Sequence, residues 1–417
     1  MTAGADVLLH GRVIGSLVED ERSQWVFRFA ETYRRMAHRP TLGQKFEDDL
    51  TIAYRGKKGG LPPFFANLVP EQGGELRPIL AAHLGIADGD DITLLERLGR
   101  DLPGAVEVRQ ITETPGEQVS ELARAIEPTE PIDQDGEWLR FSLAGIQLKF
   151  SVIIAEQRIT LPAHGRLGDW LVKLPSRRFP GLCENEYAIM KWAQAAGFEV
   201  PELVLRESSA LVGTLGEHAE AGTRVLAIRR FDRGDGGQKT HQEDFAQIVN
   251  LYPKYKYDHF SYEDVARLAA GIVGDEAIDE MIRRLVLMIA SGNGDAHLKN
   301  WSLLYPDRIR ARLAPLYDQV ATVAWPEDLA RSLALNFGGT KTMSQLGRDT
   351  LATFATRAGF DRERVTALVD STLARLTTAW SECTRASDWP LPAPHADALR
   401  EHWAKTPLLR DSPLSRL

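Results

Sequence analysis

Cysteine is almost missing: 417 residues hold two, Cys183 and Cys383. Two thiols so far apart in the chain make neither a disulfide framework nor a metal cluster, so reduced side chains are expected. No apolar run reaches the roughly 18 residues that a membrane helix needs. The opening MTAGADVLLHGRVIG lacks a basic stretch followed by an apolar one, so a cytoplasmic protein, not inserted in a membrane, is expected. Excess positive charge is also lacking. The net charge is -8 and the isoelectric point about 5.8. Such a chain is a poor direct ligand for nucleic acid, whose phosphates select clustered Lys and Arg; it would reach DNA only on a basic partner. Repeats and low-complexity tracts are absent.

What is present suits a soluble globular protein. Hydrophobic residues make up 43% and charged residues 26%, with a mean hydropathy of -0.25. The length suggests two or three packed units. Residues 1–108 read as a small α+β unit: VLLHGRVIGSLVED and WVFRFAETY are strand-like, PPFFANLVPEQGGELRPIL is turn-rich before a short helix, and DGDDITLLERLG is an acid-started helix. RQITETPGEQVS, from residue 109, is a polar linker candidate. Residues 109–232 are strand-heavy, with FSLAGIQLKFSVII, DWLVKLP, FEVPELVLRES and RVLAIRRFDR around one helix, ENEYAIMKWAQAAG, that Gly197 stops. In residues 233–417 helices dominate. SYEDVARLAAGIV opens with a capping box, Ser261 and Asp264, and an apolar helix ends in a turn at Gly292. NWSLLY and IRARLAPLYD are short β-type pieces, and the last dozen residues, TPLLRDSPLSRL, are expected to be loose.

The segment GNGDAHLKN carries the chemistry. Phosphoryl transfer asks a protein for an aligned nucleophile, charge offset by metal, and a lysine on the phosphates. Asp295 and Asn300, five positions on, have the separation of an aligning Asp and a metal-binding Asn. Asp318, in PLYDQ after a short β-hairpin, is placed as the second metal carboxylate. Alone, GNGD is equally a Gly/Asn/Asp turn; the continuation and Asp318 shift the balance toward a site. Lys173 sits mid-strand, where charge requires a partner; it is either the phosphate lysine or an edge-strand lysine facing water. Glu184 or Glu186 could pair with it, or serve only as acids at a helix N-terminus. SLAGIQLK stands where a nucleotide-covering loop belongs, although it has one glycine, Gly145; Lys149 either touches a phosphate or is solvated. RRFDR, Arg229 to Arg233, is a lobe junction or a charged surface turn.

Together these motifs resemble the HipA family of bacterial serine/threonine kinases, the toxin half of HipA–HipB type toxin–antitoxin pairs. The resemblance runs over nearly the whole chain, through VLLHGRVIGSL, PPFFANLVPEQGGELR, FSLAGIQLK, WLVKLP, ENEY, RRFDR, GNGDAHLKN and LYDQV. It implies an α+β, two-lobed protein-kinase-like fold with a strand-rich N-terminal lobe and an all-helical C-terminal lobe. It implies that Asp295 is the catalytic Asp and that Asn300 and Asp318 are Mg²⁺ ligands. Lys173 becomes the ATP-phosphate lysine, Ala144, Gly145, Ile146, Gln147, Leu148 and Lys149 the phosphate-covering loop, and Arg229, Arg230 and Phe231 the adenine-side hinge. Ser142 matches an autophosphorylated serine whose modification shuts such a kinase off. Ordinary protein kinases carry a lysine two residues after the Asp; His297 holds that place here, within the nucleotide-binding set, and Lys299 is expected to supply the charge. The implied cofactors are ATP and Mg²⁺. The implied partners are a HipB-like helix-turn-helix antitoxin dimer, operator DNA through it, and an aminoacyl-tRNA synthetase, such as glutamyl-tRNA synthetase, as substrate. Two other readings remain: a small-molecule phosphotransferase, and a nucleotide-binding pseudokinase acting as co-repressor.

Overall fold

The computed structural model describes residues 4–74, 76–111, 149–155, 158–162, 167–325 and 332–417. Ser142 and the loop positions Ala144, Gly145, Ile146, Gln147 and Leu148 lie outside the described residues.

The first unit is an antiparallel sheet of five strands, β1 (Gly4–Leu9), β2 (Arg12–Glu19), β3 (Gln24–Phe29), β4 (Tyr54–Lys58) and β5 (Val106–Gln110), in the order β4-β3-β2-β1-β5. His10 and Gly11 both take positive φ, 52° and 75°, which matches the tight turn that joins twisted strands. The linker's first residues, Arg109 and Gln110, belong to β5, paired with β1. Aromatic rings fill the sheet's inner face: Phe27 lies 4.9 Å from Phe65 and Phe46 4.6 Å from Tyr54, centre to centre.

The second sheet holds β6 (Lys149–Ala155), β7 (Arg158–Thr160), β8 (Trp170–Lys173), β9 (Leu203–Glu207) and β10 (Arg224–Arg229), in the order β7-β6-β8-β10-β9. Alternation sorts its side chains into two buried faces. Phe150, Val152, Trp170, Val172, Val225 and Ala227 share one core with the first unit. The opposite face carries Lys149, Leu171, Lys173, Leu226 and Ile228; Lys149 and Lys173 are directly paired across β6 and β8, and Lys173 and Leu226 across β8 and β10. Leu226 and Ile228 pack on Cys183 of the helix Leu182–Ala195.

The third region is helix-dominated rather than all-helical. Its core surrounds the helix Asp275–Ala290, flanked by Tyr262–Val273, Arg348–Ala358, Arg362–Cys383 and Ala393–Lys405. The capping box at Ser261 and Asp264 forms as the sequence indicates. The same region also contains β11 (His241–Asp244), β12 (Ser302–Tyr305) and β13 (Arg312–Leu313) in one antiparallel sheet, and a hairpin of β14 (Ser332–Phe337) and β15 (Thr340–Thr342). The β-type pieces NWSLLY and IRARL become β12 and β13, a paired hairpin between GNGDAHLKN and PLYDQ. The C-terminal residues are packed, not loose. Pro407–Arg410 and Pro413–Arg416 are helical turns that bury Leu409 and Leu414, and Leu408 N–H donates to Leu346 O at 2.9 Å. Apolar spacing within a proline-rich tail was the missed signal.

Trp192, Trp380 and Trp403 join the lobes, with Trp192 and Trp380 centres 4.9 Å apart. Their indole groups are satisfied where contact is deepest: Trp192 donates to Leu376 O at 2.8 Å and Trp403 to Ala290 O at 2.7 Å. This holds the helix Leu182–Ala195 against the helical half.

β11 also carries a buried carboxyl, Glu243. It accepts from the Gln44 N–H at 2.9 Å and from the Tyr305 hydroxyl, while its second oxygen has no partner among the described residues. Burial pushes its pKa from 4.5 up to about 8, against the two hydrogen bonds, which pull it down. A carboxyl raised on folding favours the fold at low pH, and that advantage is lost as pH climbs from 4.5 through about 8, at up to ~1.4 kcal/mol per unit. Glu243→Gln is therefore expected to melt progressively higher than the wild type as pH rises from 5 to 8.5. Parallel pH curves in a calorimetric series would refute this.

Candidate active site

The turn after helix Asp275–Ala290 is built by its glycines and asparagine. Gly292 takes φ +62°, and a Cβ there would lie 2.5 Å from the Val323 side chain, so no other residue fits without a shift. The Thr322 hydroxyl donates to Gly292 O at 2.9 Å and accepts from Gly294 N–H at 2.8 Å. Asn293 accepts from Asp295 N–H at 3.0 Å, and its amide donates to Gln319 Oε1 at 3.3 Å and to Asp318 O at 3.4 Å. One short turn thereby ties the backbones of Asp295 and Asp318 together. The Asn300 side chain donates to Asp295 O at 3.0 Å, so the Asp-to-Asn spacing read from the sequence closes into a single loop.

The Lys173 question resolves in favour of a partnered residue. Lys173 is 3% exposed, its ammonium 2.5 Å from Glu186 and in contact with Asp318. Glu186, one turn into the helix, makes the pair; Glu184 is not its partner. Lys149 is no solvated strand lysine either: its ammonium lies 3.1 Å from Asp318. Two ammonium groups and two carboxylates thus form a cluster without net charge. Burial alone would raise Asp318, but the two ammonium groups outweigh it and hold that carboxyl well below the usual range. Burial lowers Lys173, yet Asp318 and Glu186 prevail and keep it firmly charged. For Lys149 burial wins, with repulsion from Lys173 behind it, making it the weaker base. Glu186 is raised by burial despite Lys173. Asp318 also takes φ +55°, a left-handed conformation that Asp adopts more readily than most residues.

Lys149, Lys173 and Asp318 open onto one cleft, with Glu186 behind Lys173. It is lined by Lys149, Leu171, Lys173 and Ile228 from the second sheet, by Arg229 and Phe231 from the junction, and by Asn300 and Asp318 from the helical half. Asn67, Leu68 and Pro103 of the first unit line it too. The donors fit Mg²⁺: a carboxylate at Asp318 and an amide oxygen at Asn300 are the hard oxygen ligands that it takes.

Arg229, Arg230, Phe231 and Lys299 also line this cleft, but their charged or aromatic ends are engaged elsewhere, while His297 and Asp295 are not among its lining residues. Arg229 reaches the exposed Asp235 at 3.4 Å. Phe231 faces Tyr317, ring centres 5.6 Å apart. The Arg230 side chain turns into a buried cluster with Asp101 and Asp232. The Lys299 ammonium is held by Asn67 Oδ1 at 2.9 Å and Asp244 at 3.2 Å, a link to the first unit rather than to the Asp295 carboxylate. His297 packs edge-on to Tyr257 at 5.1 Å and is kept neutral by burial, with Lys256 adding to the effect; its Nδ1 has no partner among the described residues.

Asp295 itself reaches solvent but stands in a crowded rim, and burial there raises its proton affinity. Opposing this are the Tyr257 hydroxyl, which donates to Oδ1 at 2.6 Å, and Lys256. Sequence reading missed both residues. They lie 38 and 39 positions upstream of Asp295, in KYKYDHF, with no motif spacing to mark them.

A strand-rich lobe with a buried lysine–glutamate pair, facing a helical lobe with an Asp–Asn loop and a second aspartate, defines a protein-kinase-like protein. The first domain model that matches, HipA N-terminal domain, covers residues 5–109, and the second, HipA-like C-terminal domain, covers residues 141–380. The chain belongs to the HipA family. It is 38% identical over 412 residues to "Putative kinase Y4dM" of Sinorhizobium fredii, covering 97% of this chain and 98% of that protein. It is 24% identical over 352 residues to "Serine/threonine-protein kinase toxin HipA" of Shewanella oneidensis, covering 77% and 76%. The fold matches the Shewanella oneidensis HipA solved with HipB and operator DNA, at TM-score 0.73 and 18% identity over 99% of both chains.

Proposed function

We propose that this protein is an ATP- and Mg²⁺-dependent serine/threonine protein kinase and the toxin half of a toxin–antitoxin module. The observation that carries the reading is the buried cluster Lys149–Asp318–Lys173–Glu186, of which Lys149, Lys173 and Asp318 line one cleft with Asn300. Such a cluster is balanced without ligand, and an incoming triphosphate offers its lysines new anionic partners. Lys173, kept oriented by Glu186, grips the phosphates; Lys149, at the base of the FSLAGIQLK loop, adds a second contact. Asn300 and Asp318 would hold Mg²⁺, which supplies charge neutralisation on the phosphates. Asp295 accepts the proton of the substrate hydroxyl as its oxygen bonds the γ-phosphorus; the bond to the bridging oxygen breaks and ADP leaves.

The substrate is a serine in an aminoacyl-tRNA synthetase, of the glutamyl-tRNA synthetase kind, and its modification arrests translation and growth. A HipB-like helix-turn-helix dimer restrains the kinase and brings it to operator DNA. Phosphorylation of Ser142 is the self-limiting step. Incubation with γ-labelled ATP and Mg²⁺, followed by phosphosite mapping by mass spectrometry, tests the reading against an Asp295→Asn control. Label on Ser142 or on a synthetase, absent from the control, is expected. No transfer to any protein by the wild type would leave a nucleotide-binding co-repressor as the better account.

A further inference from the structure

The hydroxyl that should approach a kinase's aligning aspartate belongs to the substrate, yet here that carboxylate already holds one. Tyr257 Oη donates to Asp295 Oδ1 at 2.6 Å, the hydrogen bond that a serine or threonine acceptor would make. We propose that Tyr257 occupies the acceptor-hydroxyl position on Asp295 and that a substrate must displace it, so Tyr257 selects which hydroxyls reach the base.

This rests on the kinase reading above, and five contacts support it. The Tyr257 ring is half-buried, edge-on to His297, with the Lys256 ammonium 5.3 Å from its centre. The Lys341 ammonium donates to the Tyr257 carbonyl oxygen at 3.2 Å. Lys256 is itself held by both oxygens of Glu71 in the first unit, at 3.0 Å each. The Lys256 carbonyl accepts from Leu298 N–H, inside the GNGDAHLKN loop, at 3.2 Å. The plug therefore has a defined seat, braced from the first unit and from the catalytic loop. It also has a way out, because the two following residues, Asp258 and His259, are exposed, and His259 turns the chain with φ +68°. Among the described residues no bond to the rest of the core holds the hydroxyl, whose partner is Asp295. Displacement exchanges one O–H donor for another on the same oxygen, so it needs no co-reactant. An acceptor hydroxyl wins only when the segment around it contributes binding of its own, which favours a folded or docked protein substrate over free small alcohols.

Tyr257→Phe keeps the ring and its contacts with Lys256 and His297 and removes only the competing hydroxyl. With a synthetic peptide of residues 136–150, which contains Ser142, as acceptor and labelled MgATP as donor, the acceptor KM is expected to fall by about tenfold. The kcat and the KM for ATP should not fall, and thermal melting should match the wild type. Glu71→Gln, which loosens the brace on Lys256, should move the acceptor KM in the same direction by less. A Tyr257→Phe protein with unchanged acceptor KM and reduced kcat would overturn the inference alone, because Tyr257 would then be orienting Asp295 rather than blocking it. No transfer by the wild type to the peptide or to itself would overturn the kinase reading and the inference together.

Discussion

Asp295→Asn is expected to slow phosphoryl transfer by about 10³-fold while leaving the fold and nucleotide binding intact. The amide keeps the size of the carboxylate and an oxygen that can still accept from Tyr257, so the loop closed by Asn293 and Asn300 has no reason to move. What disappears is the proton acceptor. Thermal stability should hold or rise slightly. Burial raises the Asp295 carboxyl above its ordinary value, against Tyr257 and Lys256, so above that ordinary value the charged form carries a folding cost. A neutral amide removes this cost, the usual exchange of stability for activity at a charged site. Single-turnover transfer from saturating MgATP, with a melting curve on the same sample, separates the two effects. Full-rate transfer by the variant would remove Asp295 from the chemistry.

Much of this centre could be read from the sequence, for local reasons. The GNGDAHLKN turn is specified by its own glycines, and Gly292 is required by a nearby Val323. Lys173 follows from alternation: Trp170 and Val172 take one face of β8, so Leu171 and Lys173 must take the other. The capping box at Ser261 is written in four consecutive residues. The rest depends on distant segments. Nothing near Glu186 distinguishes it from Glu184 until the helix Leu182–Ala195 docks and buries only the former. Lys149 gains its role from the pairing of β6 with β8, which puts it directly beside Lys173. Lys299 looked like a catalytic-loop charge, but Asn67 and Asp244 arrive from outside the loop to take it. Tyr257 meets Asp295 only because the turn before helix Tyr262–Val273 folds over the GNGDAHLKN loop.

The hinge RRFDR shows the same limit and yields the largest stability effect expected of a single substitution. Asp232→Asn should destabilise the protein by about 3–5 kcal/mol. Asp232 receives Arg230 Nε at 2.9 Å and Nη2 at 2.8 Å, Arg233 Nη1 at 2.8 Å, and the Gly104 N–H at 2.8 Å. Asp101, from the first unit, takes the other ends of both arginines at 2.8 and 3.0 Å. All four side chains are at most 6% exposed, so salt should change little. The cluster is not ideal: one oxygen of Asp101 and the Arg233 Nε have no partner among the described residues. Its worth against an apolar replacement is therefore small, but removing one charge of four leaves a buried cation uncompensated, and that is the costly state. Burial would raise Asp232, yet Arg230 and Arg233 hold it far below its ordinary 3.8. A depressed carboxyl stabilises the fold above its unfolded value and loses that contribution as pH falls below it. Wild type should thus lose stability steeply below about pH 4, and Asp232→Asn less steeply. Because Arg229 and Phe231 line the cleft proposed for nucleotide on either side of Arg230, the variant should also bind ATP more weakly. Urea melts at pH 3 and pH 7 with an ATP titration measure all three, and a loss under 1 kcal/mol at pH 7 would show that water reaches these arginines and that the first unit is not anchored through them.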